Sequence, residues 1–465
     1  MDYDVLIIGS GPAGQHAAWQ AARMGKRAAI IERKPKIGGA GLQTGTIPSK
    51  ALREVAYLLS RSSTGGMRQA LAPNGVNRHG LLADAVRRKE VVIAQQESVI
   101  LQRLLRSGVA LIPGEASFVD AHTMQIDDAA GNLRRLSAQA IVLASGSRPR
   151  RPANVPFDKK TVLDSTSILN LRHLPESLTV VGGGVIACEF VSIFAALGVR
   201  ISMVDSHAQL LEYLSEDVVG VLADSFLGMG VTFHMQERVA EIRHEQKGTL
   251  TVLESGKQIR SEAVLYAQGR QPNSEKLHVE HAGIVAEDGW IAVNRHFQTS
   301  VPHIFAVGDL IGRPALASTG MEQGRAAVLY AFGREQHVTA ENLPMAVYTI
   351  PEISYVGKTE NEVQQESIPY LVGRAFFKDS ARGQIIGDAH GLLKLVVDTR
   401  DEKLLGVHIV GEQASELIHI GQLVMNFNGT VRDLVTNVFN YPTLAECYKI
   451  AALDCIHRLR HGEIC

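Results

Sequence analysis

Cysteine is scarce in this chain of 465 residues, where it occurs only 4 times. Cys188, Cys447, Cys455 and Cys465 form neither a CxxC pair nor a set with the spacing of zinc ligands. A disulfide framework and a structural metal site are therefore not indicated. Cys188 falls in an apolar helical pattern, so we expect it to be a small buried residue. Cys465 has no close second thiol, which argues against a C-terminal redox tail.

An excess of charge of either sign is also lacking, since 47 lysines and arginines balance 48 acidic residues. This balance gives no basic surface for nucleic acid or for an anionic membrane. No apolar run reaches the roughly 20 residues that a membrane helix needs. The N-terminus also has no basic segment followed by an apolar core. We therefore expect a cytoplasmic protein that binds neither nucleic acid nor membrane.

A glycine fingerprint follows the first apolar run of the chain, at residues 5–8. Gly9, Gly11 and Gly14 have the GxGxxG spacing, and a helical pattern and a second apolar run ending at Glu32 come next. In a βαβ unit the first glycine makes the turn, the second admits a pyrophosphate, and the third lets helix and strand pack closely. The segment predicts a dinucleotide site in which Glu32 bonds a ribose. A purely structural glycine turn is the alternative.

A second fingerprint repeats this arrangement. Gly182 and Gly184 follow an apolar run, Ala187 takes the place of the third glycine, and the next apolar run ends at Asp205. Asp205 stands as far beyond Gly182 as Glu32 stands beyond Gly9. Two copies of one nucleotide-binding unit in a chain imply two dinucleotides.

The segments that end the two copies also resemble each other. Each has an apolar strand pattern that ends in a turn containing Gly and Pro, at residues 140–149 and 263–272. Ser145, Gly146 and Gly269 lie in these turns and are candidate cofactor-binding residues. We expect a long amphipathic helix over residues 81–106, and a polar, loop-like stretch before it at residues 62–79.

The C-terminal part of the chain has a different sequence pattern. Hydrophobic residues make up 45% and charged residues 20% of the whole, a globular composition that at this length suffices for about three domains. Strand patterns dominate from Tyr348 and are followed by helical patterns near the C-terminus. We read this part as a separate α+β domain that begins near Leu343 and Pro344. His408 and His419 lie in it without a partner at ligand spacing, so we expect structural roles for both.

Three uncommon segments carry a resemblance to a known family: residues 45–53 (GTIPSKALR), 348–354 (YTIPEIS) and 439–446 (FNYPTLAE). With the order of the two fingerprints, they make the whole chain similar to the flavoprotein disulfide reductases. These proteins bind two dinucleotides. Within that family the chain most resembles the soluble pyridine nucleotide transhydrogenases.

The resemblance implies an α/β fold of two Rossmann-like domains plus a C-terminal α+β dimerisation domain. Residues 1–150 and 276–344 would form the FAD-binding and central domain, 151–275 the NAD(P)H-binding domain, and 345–465 the dimerisation domain. The partners are then nicotinamide nucleotides and a second copy of the chain, in a homodimer or a higher oligomer. The cofactors are FAD, NAD(H) and NADP(H).

The resemblance also implies roles for individual residues. Lys50 and Glu189 would form an ion pair beside the flavin, and Asp309 would bond its ribityl chain. The third region would complete each active site in trans, where Tyr441 and Glu446 are candidates to shape the far side of the flavin. The remaining nucleotide-binding candidates are Gly9, Gly11, Gly14 and Glu32 for FAD, and Gly182, Gly184 and Asp205 for NAD(P)H. Gly39, Ser145, Gly146 and Gly269 are further cofactor-binding candidates.

The two redox thiols of the family are missing. Gly41 and Thr46 stand at their positions, and Tyr441 stands where the family has the histidine that acts as their base. A phenol with a pKa near 10 does not readily exchange protons at neutral pH. Thiol–disulfide exchange is therefore not the expected reaction. Thr46 either bonds the flavin or fills the space of the missing sulfur.

What remains is hydride transfer between NAD(P)H and NAD(P)⁺ by a ping-pong mechanism through the flavin. Lys50 would stabilise negative charge on the reduced flavin, and Glu189 would orient Lys50. A structural salt bridge is the alternative, and a packed tyrosine and a helix-starting acid are the alternatives for Tyr441 and Glu446.

Asp205 raises an alternative function, because a carboxylate suits a free ribose hydroxyl and repels a 2′-phosphate. Ser206 and His207 offset that repulsion only weakly, and Gly41 replaces a cysteine that transhydrogenases usually keep. The second hypothesis is an NADH-preferring flavin oxidoreductase that passes electrons to a quinone, a dye or oxygen. A sensor of the nucleotide redox state is the third.

Overall fold

A computed structural model of the chain describes residues 1–62, 78–335 and 341–461. Most of the stretch expected to be loop-like, and Cys465, lie outside the described residues. Each glycine fingerprint follows the first central strand of one sheet.

The N-terminal part forms a sheet in the order β3-β2-β1-β6-β5-β4, with a later strand, β19, on β6. The first four strands in this order pair in parallel, and β4 and β5 continue from β6 as an antiparallel meander. The strands are β1 Tyr3–Ile8, β2 Ala28–Glu32, β3 Ala110–Pro113, β4 Glu115–Phe118, β5 Thr123–Asp127 and β6 Leu133–Leu143. The helices are α1 Pro12–Arg23, α2 Gly39–Gln43, α3 Thr46–Ser62 and α4 Arg78–Arg106, the last of which confirms the expected long helix.

The second fingerprint opens a separate five-stranded parallel sheet in the order β11-β10-β9-β15-β8. A three-stranded sheet, β12-β13-β14, lies in the connection before β15, and β7 pairs with β16 where the chain enters and leaves this region. The strands are β7 Ser147–Pro149, β8 Val162–Leu163, β9 Ser177–Val181, β10 Arg200–Asp205, β11 Thr232–Met235, β12 Val239–His244, β13 Thr249–Leu253, β14 Gln258–Ser261, β15 Ala263–Tyr266 and β16 Arg270–Pro272. The helices are α5 Val185–Ala196 and α6 Glu216–Gly228.

The chain then returns to the first sheet. It forms β17 Ala286–Glu287, β18 Trp290–Ile291, β19 Ile304–Ala306 and α7 Ala317–Ala331. Strand β19 pairs in parallel with β6, and α7 lies against α1, where Gly324 faces the backbone of Ala13. Short 3₁₀ turns lie at Ile168–Asn170, Val279–Ala282, Gly308–Ile311 and Phe377–Asp379.

The C-terminal part is an antiparallel sheet in the order β20-β21-β24-β23-β22. Its strands are β20 Met345–Val347, β21 Glu352–Gly357, β22 Tyr370–Phe376, β23 Leu392–Asp398 and β24 Leu404–Gly411. Its helices are α8 Glu360–Gln365, α9 Ala381–Ile386, α10 Ala414–Asn426, α11 Val431–Thr436 and α12 Glu446–His461. The expected α/β fold with a C-terminal α+β part is confirmed.

The apolar runs that mark each fingerprint are buried because both faces of each parallel sheet are covered. On β1, Val5 and Ile7 pack with helices α1 and α7, whereas Leu6 and Ile8 pack with strands β4 and β5. Val5, Leu6 and Ile7 have no exposed surface. Strand β9 is equally enclosed, with Leu178, Val180 and Val181 at 0% exposure. The continuous apolar pattern of both strands follows from this two-sided burial.

A buried lysine links the five-stranded parallel sheet, through helix α6, to the C-terminal antiparallel sheet. Lys394 on β23 has no exposed surface. Its Nζ donates to Ser215 Oγ at 2.7 Å, Asp217 Oδ1 at 2.6 Å and Glu360 Oε2 at 3.0 Å. Because Ser215 and Asp217 lie at the start of helix α6, the ammonium group holds this helix against the C-terminal sheet. His408 on β24 is also fully buried and bonds the carbonyl of Lys358, which is a structural role.

None of the described helices is long and apolar enough to cross a lipid bilayer.

The close contact between helices α1 and α7 leads to a prediction about the free energy of unfolding. A Cβ added at Gly324 would overlap the backbone of Ala13, so we expect Gly324→Ala to lower the free energy of unfolding by about 1–3 kcal/mol. Gly220, in helix α6, has no atom within 4 Å of an added Cβ. We expect Gly220→Ala to leave stability unchanged or raise it by up to about 1 kcal/mol. Thermal unfolding followed by circular dichroism measures both; equal midpoints for Gly324→Ala and the unchanged protein would contradict the packing described.

Candidate functional site

The first fingerprint forms a turn that only glycine fits. Gly9 has a φ of 109°, and a Cβ at Gly14 would overlap the carbonyl of Gly9. Glu32, at the end of β2, accepts hydrogen bonds from Ser10 N at 3.0 Å and Ser10 Oγ at 2.6 Å. No side chain among the described residues caps the N-terminus of α1 at Gly11. Its free N–H groups are therefore available to an anion.

A second glycine segment closes over this turn. Gly38 has a φ of 104° and its N–H donates to Ser10 Oγ at 3.0 Å. A Cβ at Gly39 would lie 2.7 Å from the Cα of Gly11, so the two backbones touch. Ser145 Oγ is buried without a hydrogen-bond partner among the described residues. Uncapped N–H groups, a narrow glycine cradle and an unpartnered hydroxyl fit the diphosphate of a dinucleotide.

Residues 38–50 are largely helical, although they hold four glycines and a proline. Helix α2 ends at Gln43, and helix α3 begins at Thr46. Pro48 does not prevent this, because a proline in the first turn removes no intrahelical hydrogen bond. Thr46 and Lys50 therefore lie one helical turn apart on the same face of α3.

The structure brings Lys50 and Glu189 together. Lys50 Nζ donates to Glu189 Oε1 at 2.8 Å and Oε2 at 2.6 Å, and lies 3.2 Å from Ser49 Oγ. The side chain of Glu189 is 7% exposed and that of Lys50 is 26% exposed. Lys50 comes from helix α3, after the first glycine fingerprint, and Glu189 from helix α5, which follows the second. The pair therefore lies where the two regions meet, with one face of Lys50 open.

The C-terminal region reaches the same place through Tyr348. Its backbone N–H donates to Glu189 Oε1 at 3.0 Å, and its ring lies 4.8 Å from Lys50 Nζ, within the range of a cation–π contact. Glu189 thus accepts hydrogen bonds from two regions of the chain at once. Both of its oxygens are used, which fixes its orientation.

Arg53 anchors this arrangement and was missed from the sequence, although it ends one of the three distinctive segments. Its Nε and one terminal nitrogen donate to the carbonyl of Thr349 at 3.2 and 3.1 Å. Its other terminal nitrogen lies 3.1 Å from Glu352 Oε1, and the two side chains are 9% and 11% exposed. Arg53 therefore holds the segment that carries Tyr348. A charged residue on the apolar face of α3 was the signal that could have found it.

Asp309 belongs to a group of polar side chains beside the paired strands β7 and β16. Ser147 Oγ donates to Asp309 Oδ2 at 2.6 Å, and Arg270 Nε donates to Ser147 Oγ at 2.7 Å. Gly146 and Gly269 have φ values of 68° and 91° and turn the chain into and out of the β7–β16 pair. The structure thus brings Asp309 close to both turns.

The second fingerprint is similar to the first. Gly182 has a φ of 121°, and no side chain among the described residues caps helix α5 at Gly184. A Cβ at Gly183 would lie 2.9 Å from Asp205 Cγ, so the carboxylate lies directly against the glycine turn. Space is open at Gly184, where no atom lies within 4 Å of an added Cβ.

The structure does not bring Tyr441 and Glu446 together with the other candidate site residues of this chain. Tyr441 is 74% exposed and makes no hydrogen bond within the described part of the chain. Glu446 begins helix α12, and its Oε2 is buried without a partner among the described residues.

The described thiols do not form a redox pair. Cys188, Cys447 and Cys455 are free and buried, as expected for Cys188. Burial raises the pKa of Cys447 to about 11 and that of Cys455 to about 12. At Gly41 a Cβ would lie 2.9 Å from Pro12 Cγ, so this position is already tightly packed without a sulfur.

The fold and the site define a class: two nucleotide-binding regions that meet at a buried lysine–glutamate pair, with a third region attached. Residues 3–324 match the family model described as pyridine nucleotide-disulphide oxidoreductase. Residues 343–452 match the dimerisation domain of that family. The chain belongs to the pyridine nucleotide-disulphide oxidoreductase family.

Curated relatives cover the whole chain. It is 46% identical over 464 residues to a soluble pyridine nucleotide transhydrogenase of Mycobacterium tuberculosis (strain ATCC 25177 / H37Ra), covering 99% of this chain and 98% of the relative. It is 40% identical over 462 residues to a protein of the same name from Pseudomonas putida (strain W619), covering 98% and 99%. These relatives confirm the family resemblance.

Solved structures agree with the fold. LpdA from Mycobacterium tuberculosis superposes with a TM-score of 0.89 at 28% identity, covering 97% of this chain and 98% of that chain. A copper(II) complex of the HOCl-induced flavoprotein disulfide reductase RclA from Escherichia coli gives a TM-score of 0.88 at 26% identity, covering 97% and 99%. FAD and NAD(P)(H) are the cofactors of this family, and the dimerisation domain supports the expected homodimer.

The buried pair of Arg53 and Glu352 makes a prediction. Arg53→Met leaves the Glu352 carboxylate buried without its cation, so we expect a loss of about 3–5 kcal/mol in the free energy of unfolding. The double variant Arg53→Met/Glu352→Gln should lose less than the sum of the single changes. Arg87→Met breaks an exposed pair with Asp84 and should cost less than about 1 kcal/mol. Strict additivity in denaturant unfolding would show that Arg53 and Glu352 are not coupled.

Proposed function

We propose that the protein transfers hydride between NAD(P)H and NAD(P)⁺ through bound FAD, as the names of its curated relatives indicate. The contact of Lys50 with Glu189, at the junction of two nucleotide-binding regions and without a thiol pair beside it, carries this proposal. We place the protein in the cytoplasm as a homodimer. The assignment of residues 1–150 and 276–344 to FAD, 151–275 to NAD(P)H and 345–465 to dimerisation is part of the proposal.

The glycine cradle would hold FAD. Gly9, Gly11, Gly14 and Gly39 would admit its diphosphate, and the uncapped N-terminus of α1 would offset the phosphate charge. Glu32 would accept hydrogen bonds from a ribose, since its carboxylate lies where β2 ends. The residues that would contact the ribityl chain and its surroundings are Asp309, Ser145 and Gly146.

The second cradle would hold the nicotinamide nucleotide. Gly182 and Gly184 would admit its diphosphate, and Asp205 would lie at its ribose. Gly269, in the turn between β15 and β16, would line the same site. Helix α5, which begins at this cradle, also carries Glu189. One helix would therefore position both the diphosphate and the pair beside the flavin.

FAD, when bound, supplies the hydride acceptor and donor that couples two nicotinamide nucleotides in successive half-reactions. Lys50 presents a positive charge there, and its Nζ is held by Glu189, so little reorganisation is needed when negative charge develops. Thr46, one turn before Lys50, would hydrogen-bond the flavin. Tyr441 is exposed in the single chain, which suits a residue that acts, with Glu446, at the partner's site.

An NADH-preferring flavin oxidoreductase that reduces a quinone, a dye or oxygen is the second candidate function. The position of Asp205 favours it, because the carboxylate lies against the glycine turn at the end of β10 and would face a 2′-phosphate. The third hypothesis, a redox-state sensor, gains no specific support from a described contact.

Anaerobic half-reactions test the proposal directly. We expect NADH and NADPH each to bleach the flavin absorbance, and NAD⁺ or NADP⁺ to restore it, because one site serves both nucleotides. Bleaching by NADH alone would overturn the transhydrogenase function. Rapid reoxidation by a quinone or oxygen in that case would favour the second candidate.

Variants of Lys50 test its role. We expect Lys50→Met to slow flavin reduction by NADH by roughly 10²-fold, as for the loss of one preorganised electrostatic group. Lys50→Arg should retain much of the rate, because its cation also bonds Glu189. Lys276→Met, which breaks a surface pair with Glu115, is the control. An unchanged reduction rate in Lys50→Met, with bound flavin retained, would reduce the pair to a structural salt bridge.

A further inference from the structure

The end of strand β10 holds a carboxylate and an imidazole in direct contact. Asp205 Oδ1 accepts hydrogen bonds from the backbone N–H of His207 at 2.8 Å and from its Nδ1 at 2.6 Å. The side chain of Asp205 is 8% exposed, whereas that of His207 is 53% exposed. The carboxylate is therefore enclosed, and the imidazole lies over it on the solvent side.

The two oxygens of Asp205 have different surroundings. Oδ1 is occupied by His207, while Oδ2 accepts no hydrogen bond within the described part of the chain and faces the turn at Gly183. Oδ2 is therefore available to a ribose hydroxyl. His207 does not compete for it.

Two further charged groups face His207. Its Nε2 lies 3.3 Å from Glu212 Oε2, and the side chain of Glu212 is 69% exposed and can move away. Arg238, at the end of the turn before β12, is exposed and makes no side-chain hydrogen bond or ion pair among the described residues. Asp205 is the main cause that raises the pKa of His207, Glu212 adds to it, and Arg238 opposes it.

We propose that His207 determines whether the second nucleotide site accepts a 2′-phosphate, so that Asp205 serves NADH while the His207 imidazolium admits NADPH beside the same carboxylate. This inference rests on the proposed nicotinamide site and identifies how it would take both nucleotides. His207 acts as a specificity residue and takes no part in hydride transfer.

The charges beside the ribose decide which nucleotide the site accepts. A 2′-phosphate carries about 1.5 to 2 negative charges at pH 7, and an unscreened Asp205 would repel it. The imidazolium donates Nδ1–H to Asp205 and so offsets that charge, while its Nε2–H becomes a donor to the phosphate when Glu212 moves away. Arg238, whose charge also acts on His207, is a second cation in this neighbourhood. A free ribose needs only Asp205 Oδ2.

The dependence on pH has a definite sign. The pKa of His207 is raised above its usual value of 6.5, so the cation is present below that raised pKa and is lost as the pH rises through it. Binding of a 2′-phosphate should therefore weaken as the solution becomes alkaline. Binding of a nucleotide with a free 2′-hydroxyl should change little over the same range.

Calorimetric titration of the holoenzyme with 2′,5′-ADP and with 5′-AMP, from pH 6.5 to pH 10, tests the proposal without turnover. At pH 6.5 we expect His207→Gln to weaken binding of 2′,5′-ADP by about tenfold or more, the scale of one lost charged hydrogen bond, and to leave 5′-AMP within about twofold. His207→Arg should bind 2′,5′-ADP at pH 10 as well as at pH 7. His173→Gln is the matched control, because His173 is 58% exposed and also pairs with a carboxylate, that of Glu262.

Equal weakening of both ligands in His207→Gln would mean that His207 only supports the fold of the turn, and no weakening of either would mean that it takes no part. Both results overturn the proposal. The proposed function fails separately, when either NADH or NADPH does not bleach the flavin of the unchanged protein. A ratio of kcat/KM for NADPH to that for NADH that falls with pH in the unchanged protein and stays flat in His207→Arg is the corresponding result in turnover.

Discussion

The ion pair between Lys50 and Glu189 is the contact on which the arrangement of this molecule depends. Its partners come from two separate nucleotide-binding regions, and the Tyr348 N–H of a third region bonds the same carboxylate. The Glu189 side chain is only 7% exposed, so loss of the Lys50 cation while the regions stay packed would leave a buried, unpaired carboxylate, at a cost of several kcal/mol. The electrostatics of one side chain therefore fix where three sheets meet.

Other boundaries between the regions use the same device. Arg53 joins helix α3 to the segment before β21, and Lys394 joins the start of helix α6 to β23. An apolar contact tolerates sliding, whereas a buried cation with several fixed acceptors does not, because displacement leaves groups unpaired. The surfaces that would enclose a flavin and a nicotinamide are thus held in one relative position. Such positioning suits chemistry that the cofactors themselves supply.

Local patterns allowed much of the fold to be predicted. Both glycine fingerprints, the apolar strands before them and the long helix α4 follow from short-range rules, so they were found without the tertiary structure. The helix that carries Thr46 and Lys50 is not evident from the sequence, because a run with four glycines and a proline has weak helical propensity. Tertiary packing against α4 and α5 outweighs that propensity. Lys50 and Glu189, 139 residues apart, were linked only through the family resemblance.

By itself the sequence determined the class of the protein: two dinucleotide units, no thiol pair, and a third domain of different texture. Residues that are close together along the chain determine these properties, and the steric rules for turns and strands apply to such residues directly. Only the tertiary structure decided which charges meet, since Arg53 with Thr349 and Glu352, or Lys394 with Asp217, are far apart in sequence. It also gave Asp205 Oδ1 to His207 and left Oδ2 open, because hydrogen bonding depends on atomic positions that no residue pattern specifies.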